Sequence, residues 1–383
     1  MQCVKRSPAL ADEPPVALGA ELSGTALLRM ARSDRSGAKA TLAAMSNEAQ
    51  ARACQDLRLE ARGEFLMLIE HPEDIVPLLP EAELVQTVRA GGMSEAAWLL
   101  ELATPEQRIA AFDLDCWTGA ELQVARVHEW FDALIEAGRP TLVKALQEIE
   151  LEILLLAVHA EAEVAVVSKE QEPPIGFFTP DGVVYFGSAP DASPHRIHEI
   201  SHALFAEDQP LYWRLVYGML FESPAECEEY ALRWRTNRLQ DLGFPDLEQA
   251  MRVYRPLPVE RVSDWVQSPP ERALVGSIQL PRQLRGTLLG EALAKLPVAR
   301  ATDLLGYVLG VANSLAVADG LPLSESESVP RALVKAVRGI DTGLRELARA
   351  RGQAAEEVLD RTAPLDLFRV GATVDPSLKE RGP

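Results

Sequence analysis

Apolar positions recur at helical spacing along most of this chain, in short segments divided by capping and breaking residues. From Ser46 onward the text is a series of helix starts and stops. The clearest start is Thr104-Pro105-Glu106-Gln107, an N-cap followed by proline at the first helical position. Ser94 and Thr118 read as two more caps. Amphipathic segments lie between them: one ending at Gly91-Gly92, one from Glu95 to Ala103, one through Phe112, and two longer ones reaching Gly138 and about Ala160. "LPEAELVQTV" at 79–88 and "ATPEQRIAAF" at 103–112 share the order apolar, Pro, acidic, apolar pair, the mark of a degenerate solenoid-like repeat.

One region departs from the helical period. "VAVV" (164–167) and "IGFFTPDGVVYFG" (175–187) are β-branched and aromatic, and Thr179-Pro180-Asp181-Gly182 is a turn signal. Helices resume at Ser193-Pro194, with breaks near Pro224, Gly243-Phe244-Pro245, Pro256, Pro269-Pro270, Pro297, Gly320 and Pro364. The pattern predicts a mostly α protein, an irregular helical array with a solenoid-like N-terminal half and one small β-hairpin near 164–187. Its expected parts are an N-terminal helical superhelix (46–160), a hairpin insert (161–187) and a C-terminal helical domain (188–383). Residues 1–45 mix Pro, Gly, Ser and Arg without a sustained apolar period and read as a disordered tail.

Composition narrows the classes. A chain of 383 residues with 47% hydrophobic content can bury a large core or two smaller ones. The 38 basic and 57 acidic side chains leave a net charge of -19, which repels phosphate backbones and anionic membranes, so no nucleic acid is expected as partner. The most apolar run, Ile153 to Val158, is far shorter than the roughly 20 residues a bilayer needs, and it reads as a buried helix without membrane insertion. Cys3, Cys54, Cys116 and Cys227 are scattered and form no CxxC pair, which fits a reducing cytoplasm. The N-terminus has basic residues but no apolar h-region, so no signal peptide is expected.

One string carries candidate chemistry. His198-Glu199-Ile200-Ser201-His202 spells HExxH, in which histidines four apart on one helix face can both bind zinc while the glutamate activates the metal-bound water. A zinc metallopeptidase would take His198, His202 and Glu222 as ligands, Glu226 as the substitute third ligand, and Glu199 as general base. Against this, the string arises by chance in on the order of one protein in a hundred. Arg196 puts a charge where zinc-peptidase helices are usually uncharged, and a buried active-site helix tolerates that poorly. On a wheel Ile197, Ile200 and Leu204 form an apolar stripe while His195, His198 and His202 lie to another side, as on a plain amphipathic helix. A polar histidine face is therefore the preferred reading, with no cofactor; an adventitious zinc or nickel site lies between the two.

Three other features bear on function. Arg233, Arg235 and Arg238 could face an anionic ligand or acidic partner, although the acidic residues just upstream would more simply neutralise them. Asp113 and Asp115 beside Trp117 read as solvated capping groups at a helix–helix corner, and Asn313, inside an apolar helix, must find partners or sit at an interface, with packing specificity the preferred role. No glycine-rich phosphate loop, G-x-S-x-G elbow or haem string occurs.

The stretches "LLPEAELVQTVRAGGMSEAAWLLELATPEQRIAAFDLDCW", "ESPAECEEYALRWRTNRLQDLGFPDLEQAMRVYRPL", "GVANSLAVADG", "GIDTGLRELARA" and "LDLFRVGATV" resemble an uncharacterised bacterial helical family, a domain-of-unknown-function family, over most of residues 70–375. The resemblance implies no catalytic residues, and it implies an ordinary helix ahead of "DQPLYWRLVYGMLFES", where HExxH is local drift. The N-terminal stretch also looks like the helical superhelix of magnesium-channel N-domains and flagellar-motor switch proteins, which are interaction modules. The expected function is thus a cytoplasmic scaffold or protein-interaction module without catalysis, its partner a protein; its rival is the zinc metallopeptidase.

Overall fold

The structure, a computed structural model, describes residues 23–168, 171–189, 193–264, 283–325 and 328–380. It is mostly α-helical. Four helices, α1 (Gly24–Ser33), α2 (Arg35–Ala43), α3 (Asn47–Gln55) and α4 (Leu59–Leu66), lead into α5 (Glu81–Gly91), α6 (Trp98–Leu102) and α7 (Pro105–Asp115). Thr104 is the expected N-cap, and with Gln107 it builds a full capping box: Gln107 N–H donates to Thr104 Oγ1 (3.2 Å) and Thr104 N–H to Gln107 Oε1 (2.9 Å).

The first 45 residues are not all tail. Ser23 and Asp34 cap α1 and α2, and Leu27 and Leu42 are fully buried. The short apolar sets of these helices gain their value from the wall they cover, which a local period does not show; residues 1–22 lie outside the described residues.

Thr118 is no cap. It belongs to β1 (Trp117–Thr118), paired antiparallel with β2 (Glu121–Leu122) around Gly119, whose φ of 62° a turn of this kind requires. Ser94 caps nothing either, since its hydroxyl donates to Glu136 (2.6 Å). Beyond this second, unexpected hairpin follow α8 (Val124–Glu136), α9 (Arg139–Glu148) and α10 (Leu151–His159), and then the expected hairpin of β3 (Ala162–Val166) and β4 (Val184–Ser188), with Val164 opposite Phe186. Asp181 closes its turn by accepting from the N–H groups of Val183 and Val184 (both 2.8 Å).

The hairpin does not part the helices on either side of it. After it come α11 (Pro194–Glu207), α12 (Gln209–Phe221) and α13 (Pro224–Asp241); α11 returns to α8 and α9, while α12 and α13 both pack on α10. Next come α14 (Leu247–Met251), α15 (Leu288–Leu293), α16 (Val298–Ala318), α17 (Ser328–Arg351), α18 (Ala355–Arg361) and α19 (Pro364–Val374). The break expected at Pro269-Pro270 lies outside the described residues. One core of buried apolar side chains runs from Leu27 to Leu378. By length and composition α16 could cross a membrane, but half of its most apolar window is buried inside the protein. Its Asn313 is buried and donates to the Gly243 carbonyl (3.1 Å), the first of the two alternatives its sequence position left open.

Candidate functional site

Proline at its first turn starts α11, and its Ile197, Ile200, Ala203 and Leu204 are buried, as the wheel predicts. Arg196 lies on the buried side too. Its guanidinium grips both Asp132 oxygens on α8 (2.8 and 2.6 Å) and Glu161 before β3. The charge is thus tolerated because it is paired, and it fastens the helix.

His195, His198 and Glu199 face outward, with the His198 and His202 rings 4.1 Å apart and Phe178 of the hairpin against both, at 5.3 and 6.3 Å. Burial, His198 and Arg139 in that order lower the pKa of His202, so the ring is neutral at neutral pH. Glu199 lies 3.4 Å from His198 Nδ1 and 4.0 Å from His195 Nδ1.

The third ligand does not arrive. Glu222 ends α12, where its carboxylate accepts from Cys227 Sγ (3.6 Å) and acts on His159, and Glu226 accepts from Ser223 Oγ (2.8 Å) at the start of α13. Among the described residues no three His, Cys, Asp or Glu side chains gather as a metal site. Two histidines on one turn do not make the tetrahedral donor set that zinc takes, so the residues do not fit the metal.

The three arginines part company. Arg235 is buried over the Trp117 ring (5.2 Å) and donates to the carbonyls of Asp113 (2.7 Å) and Gly119 (3.1 Å). Arg238 holds both Asp113 oxygens (2.6 and 2.8 Å) and also Glu150. Neither offers its guanidinium to a ligand, which corrects the anion-binding expectation for both; burial forces such groups to find partners inside. Arg233 remains exposed.

The two aspartates are likewise buried hubs and not solvated caps. Asp113 receives Arg238, while Asp115 accepts from Arg89, Arg126 (2.8 Å) and Trp130 Nε1 (2.8 Å). Asp115 also borders a cleft of about 440 Å³ with Arg89, Arg126, Glu129 and Ser324, whose charged groups pair with one another.

Sequence reasoning missed a set of exposed aromatic side chains on α12 and α13. Gly218 lets α12 press on α10, since a Cβ there would meet Leu155 at 2.6 Å, and Tyr212, Leu215 and Val216 are buried. The opposite side carries Trp213 (37% exposed), Tyr217 (60%) and Phe221 (78%), four residues apart, with successive rings 6.4 and 6.3 Å apart. Tyr230 (55%) and Trp234 (51%) form a second row on α13.

The two rows lie on consecutive helices. Residues 222 and 223 join them at one end, and at the other Trp234 shares a cleft of about 590 Å³ with Pro210, Leu211 and Arg214 of α12. The available signal was that α12 is apolar on both sides, which a helix buried on one side does not need.

The described cysteines are not nucleophiles. Burial pushes the Cys54 thiol up to about 12 and Cys227 up to about 11, and raises Cys116 well above its ordinary value, so none is a thiolate at neutral pH.

The chain belongs to DUF6178, a family of unknown function that matches residues 39–381. No curated protein and no solved structure matches it, so the likeness of the N-terminal stretch to magnesium-channel and flagellar-switch superhelices gains no support.

Proposed function

We propose that this protein is a protein-interaction module without catalysis of its own, working in the cytoplasm through the aromatic face of α12 and α13. The observation that carries the reading is the ladder Trp213, Tyr217, Phe221, with Tyr230 and Trp234 on the next helix, all at least a third exposed. Single exposed apolar residues are ordinary, but three exposed rings in succession on one helix face mark a contact surface. Arg214 and Arg233 flank the rings, and Trp, Tyr and Arg are the side chains that dominate interface energies. The unpaired cysteines among the described residues suit a reducing compartment.

A photo-crosslinking phenylalanine analogue at position 217 tests the reading. On irradiation in the native cell it should give adducts that mass spectrometry maps to a defined protein surface, while the same probe at Val298, 83% exposed and remote in sequence, should give none. Absence of any adduct at 217, or turnover of a small molecule by the purified chain, would overturn it.

No observation favours the zinc metallopeptidase, since Glu222 and Glu226 are engaged elsewhere. Protein purified without a histidine tag is expected to hold far less than one zinc per chain, and a chelator should leave its melting temperature unchanged. Stoichiometric zinc that disappears in His198→Ala would reverse this conclusion.

A further inference from the structure

We infer that the outer edge of β3 receives, as an added strand, an extended segment of a partner protein in which basic and β-branched residues alternate. The inference goes beyond the aromatic ladder and does not depend on it. The hydrogen-bond parity of the hairpin carries it. Val167 N–H donates to the Val183 carbonyl (3.0 Å) and Ala189 N–H to the Glu161 carbonyl (2.8 Å), one at each end of the hairpin. Between them the register pairs Glu163 with Gly187 and Ala165 with Tyr185. These odd-numbered residues direct their backbone groups at β4, and in an antiparallel ladder the alternate residues, Val164 and Val166, turn theirs away from it. Among the described residues no hydrogen bond reaches those outward groups.

The two edges of the hairpin differ. On the far side of β4, Phe178 and Phe186 exchange both backbone bonds (3.0 and 2.8 Å), and Val184 N–H donates to Asp181 (2.8 Å). The β3 edge has no such cover, and it lacks the usual guards: "AEVAV" contains no proline or lysine, and its register runs without a bulge. Ala162 is buried, but every residue from Glu163 to Ser168 is at least partly exposed. An open strand edge is a template for another strand, and two strands alone make a marginal sheet that a third stabilises.

The side chains beside the edge set the chemistry of the occupant. Val164 stands opposite Phe186 and Val166 opposite Val184, and both of these partners are buried. An added strand extends that apolar face, so a β-branched or aromatic residue is favoured next to each valine. Glu163 lies on the other face, exposed, and no ion pair engages it among the described residues. A lysine or arginine is favoured beside it, and the net charge of -19 attracts such a segment while it repels a second copy of the chain. Main-chain bonds then supply affinity, and the alternating side chains supply selectivity.

Hydrogen exchange of the full chain, resolved to single amides by mass spectrometry, reads this parity. In the free protein the amides of Val164 and Val166 should exchange at least 10-fold faster than those of Glu163, Ala165 and Val167. A synthetic hexapeptide of alternating lysine and valine should bind in fluorescence anisotropy and slow exchange at 164 and 166. The same peptide N-methylated throughout keeps its side chains but has no backbone donors, and it should bind at least 10-fold more weakly. Val164→Pro removes one outward N–H and none of the bonds to β4; it should lower affinity by a similar factor, with circular dichroism confirming the fold.

Amides of 164 and 166 already protected in the free chain, no binding of the peptide at about 1 mM, or binding indifferent to N-methylation would each overturn the inference. Protection that rises with chain concentration alone would assign the edge to a second copy and overturn it as well. Crosslinking at position 217 bears only on the α12 reading, so the two stand or fall separately.

Discussion

Gly343→Val should strongly destabilise the C-terminal helices. A Cβ at Gly343 would lie 1.8 Å from the Leu367 carbonyl oxygen, and one at Gly371 would lie 2.0 Å from the Gly339 carbonyl oxygen. Helices α17 and α19 therefore meet backbone to backbone. A rotamer change cannot relieve such a clash, so the helices must move apart and lose the packing of Phe368 against Gly339.

Overpacking typically costs ~1–3 kcal/mol, and this case belongs at or above the top of that range. Thermal melting should show a fall of roughly 5 °C or more. Limited proteolysis should open residues 364–380 first. Gly310→Ala is the control: nothing lies within 4 Å of its Cβ position on α16, and the exchange should stabilise by up to about 1 kcal/mol. A Gly343→Val protein that melts like the parent would show that the close approach is not required.

Arg238→Met should lower stability by about 3–5 kcal/mol, because it leaves the buried Asp113 carboxylate without its main partner. Asp113 retains Arg235 only through its backbone carbonyl. Adding Asp113→Asn should recover much of the loss, since removing both charges of a buried pair is far milder than removing one. Denaturant titration of the two singles and the double measures the coupling.

The pH dependence has a definite sign. Burial is the largest influence on the Asp113 carboxyl and pushes its pKa up. A group with a raised folded pKa favours folding below its unfolded pKa, about 4, and loses that contribution as pH rises through the folded value. The deficit of Arg238→Met should therefore shrink as pH falls toward 4. A deficit that grows on acidification would contradict this account of the site.

The HExxH string shows how far local text can mislead. Its helix, its start at Pro194 and its division into a buried stripe and a histidine face were legible, because each depends on residues within a few turns. The location of Glu222 was not legible. Twenty residues after His202 fits a ligand in sequence, but α12 carries Glu222 to its far end beside Cys227. Arg235 and Arg238 show the same limit, since their partner Asp113 stands 122 and 125 positions away.

The sequence by itself determined the mostly helical class, the Thr104 N-cap, a hairpin near 164–187, and the breaks at Pro224, Gly243, Gly320 and Pro364. Caps, turns and proline act over three or four residues, so their physics is complete in a short window. Only the tertiary structure decided that residues 24–43 join the core, that Gly339, Gly343 and Gly371 seat two helices together, and which side of α12 stays outside. Both sides of α12 are apolar, and hydrophobic burial has no direction of its own. The close approach of Gly218 to Leu155 chose the buried side, and the aromatic ladder was left exposed.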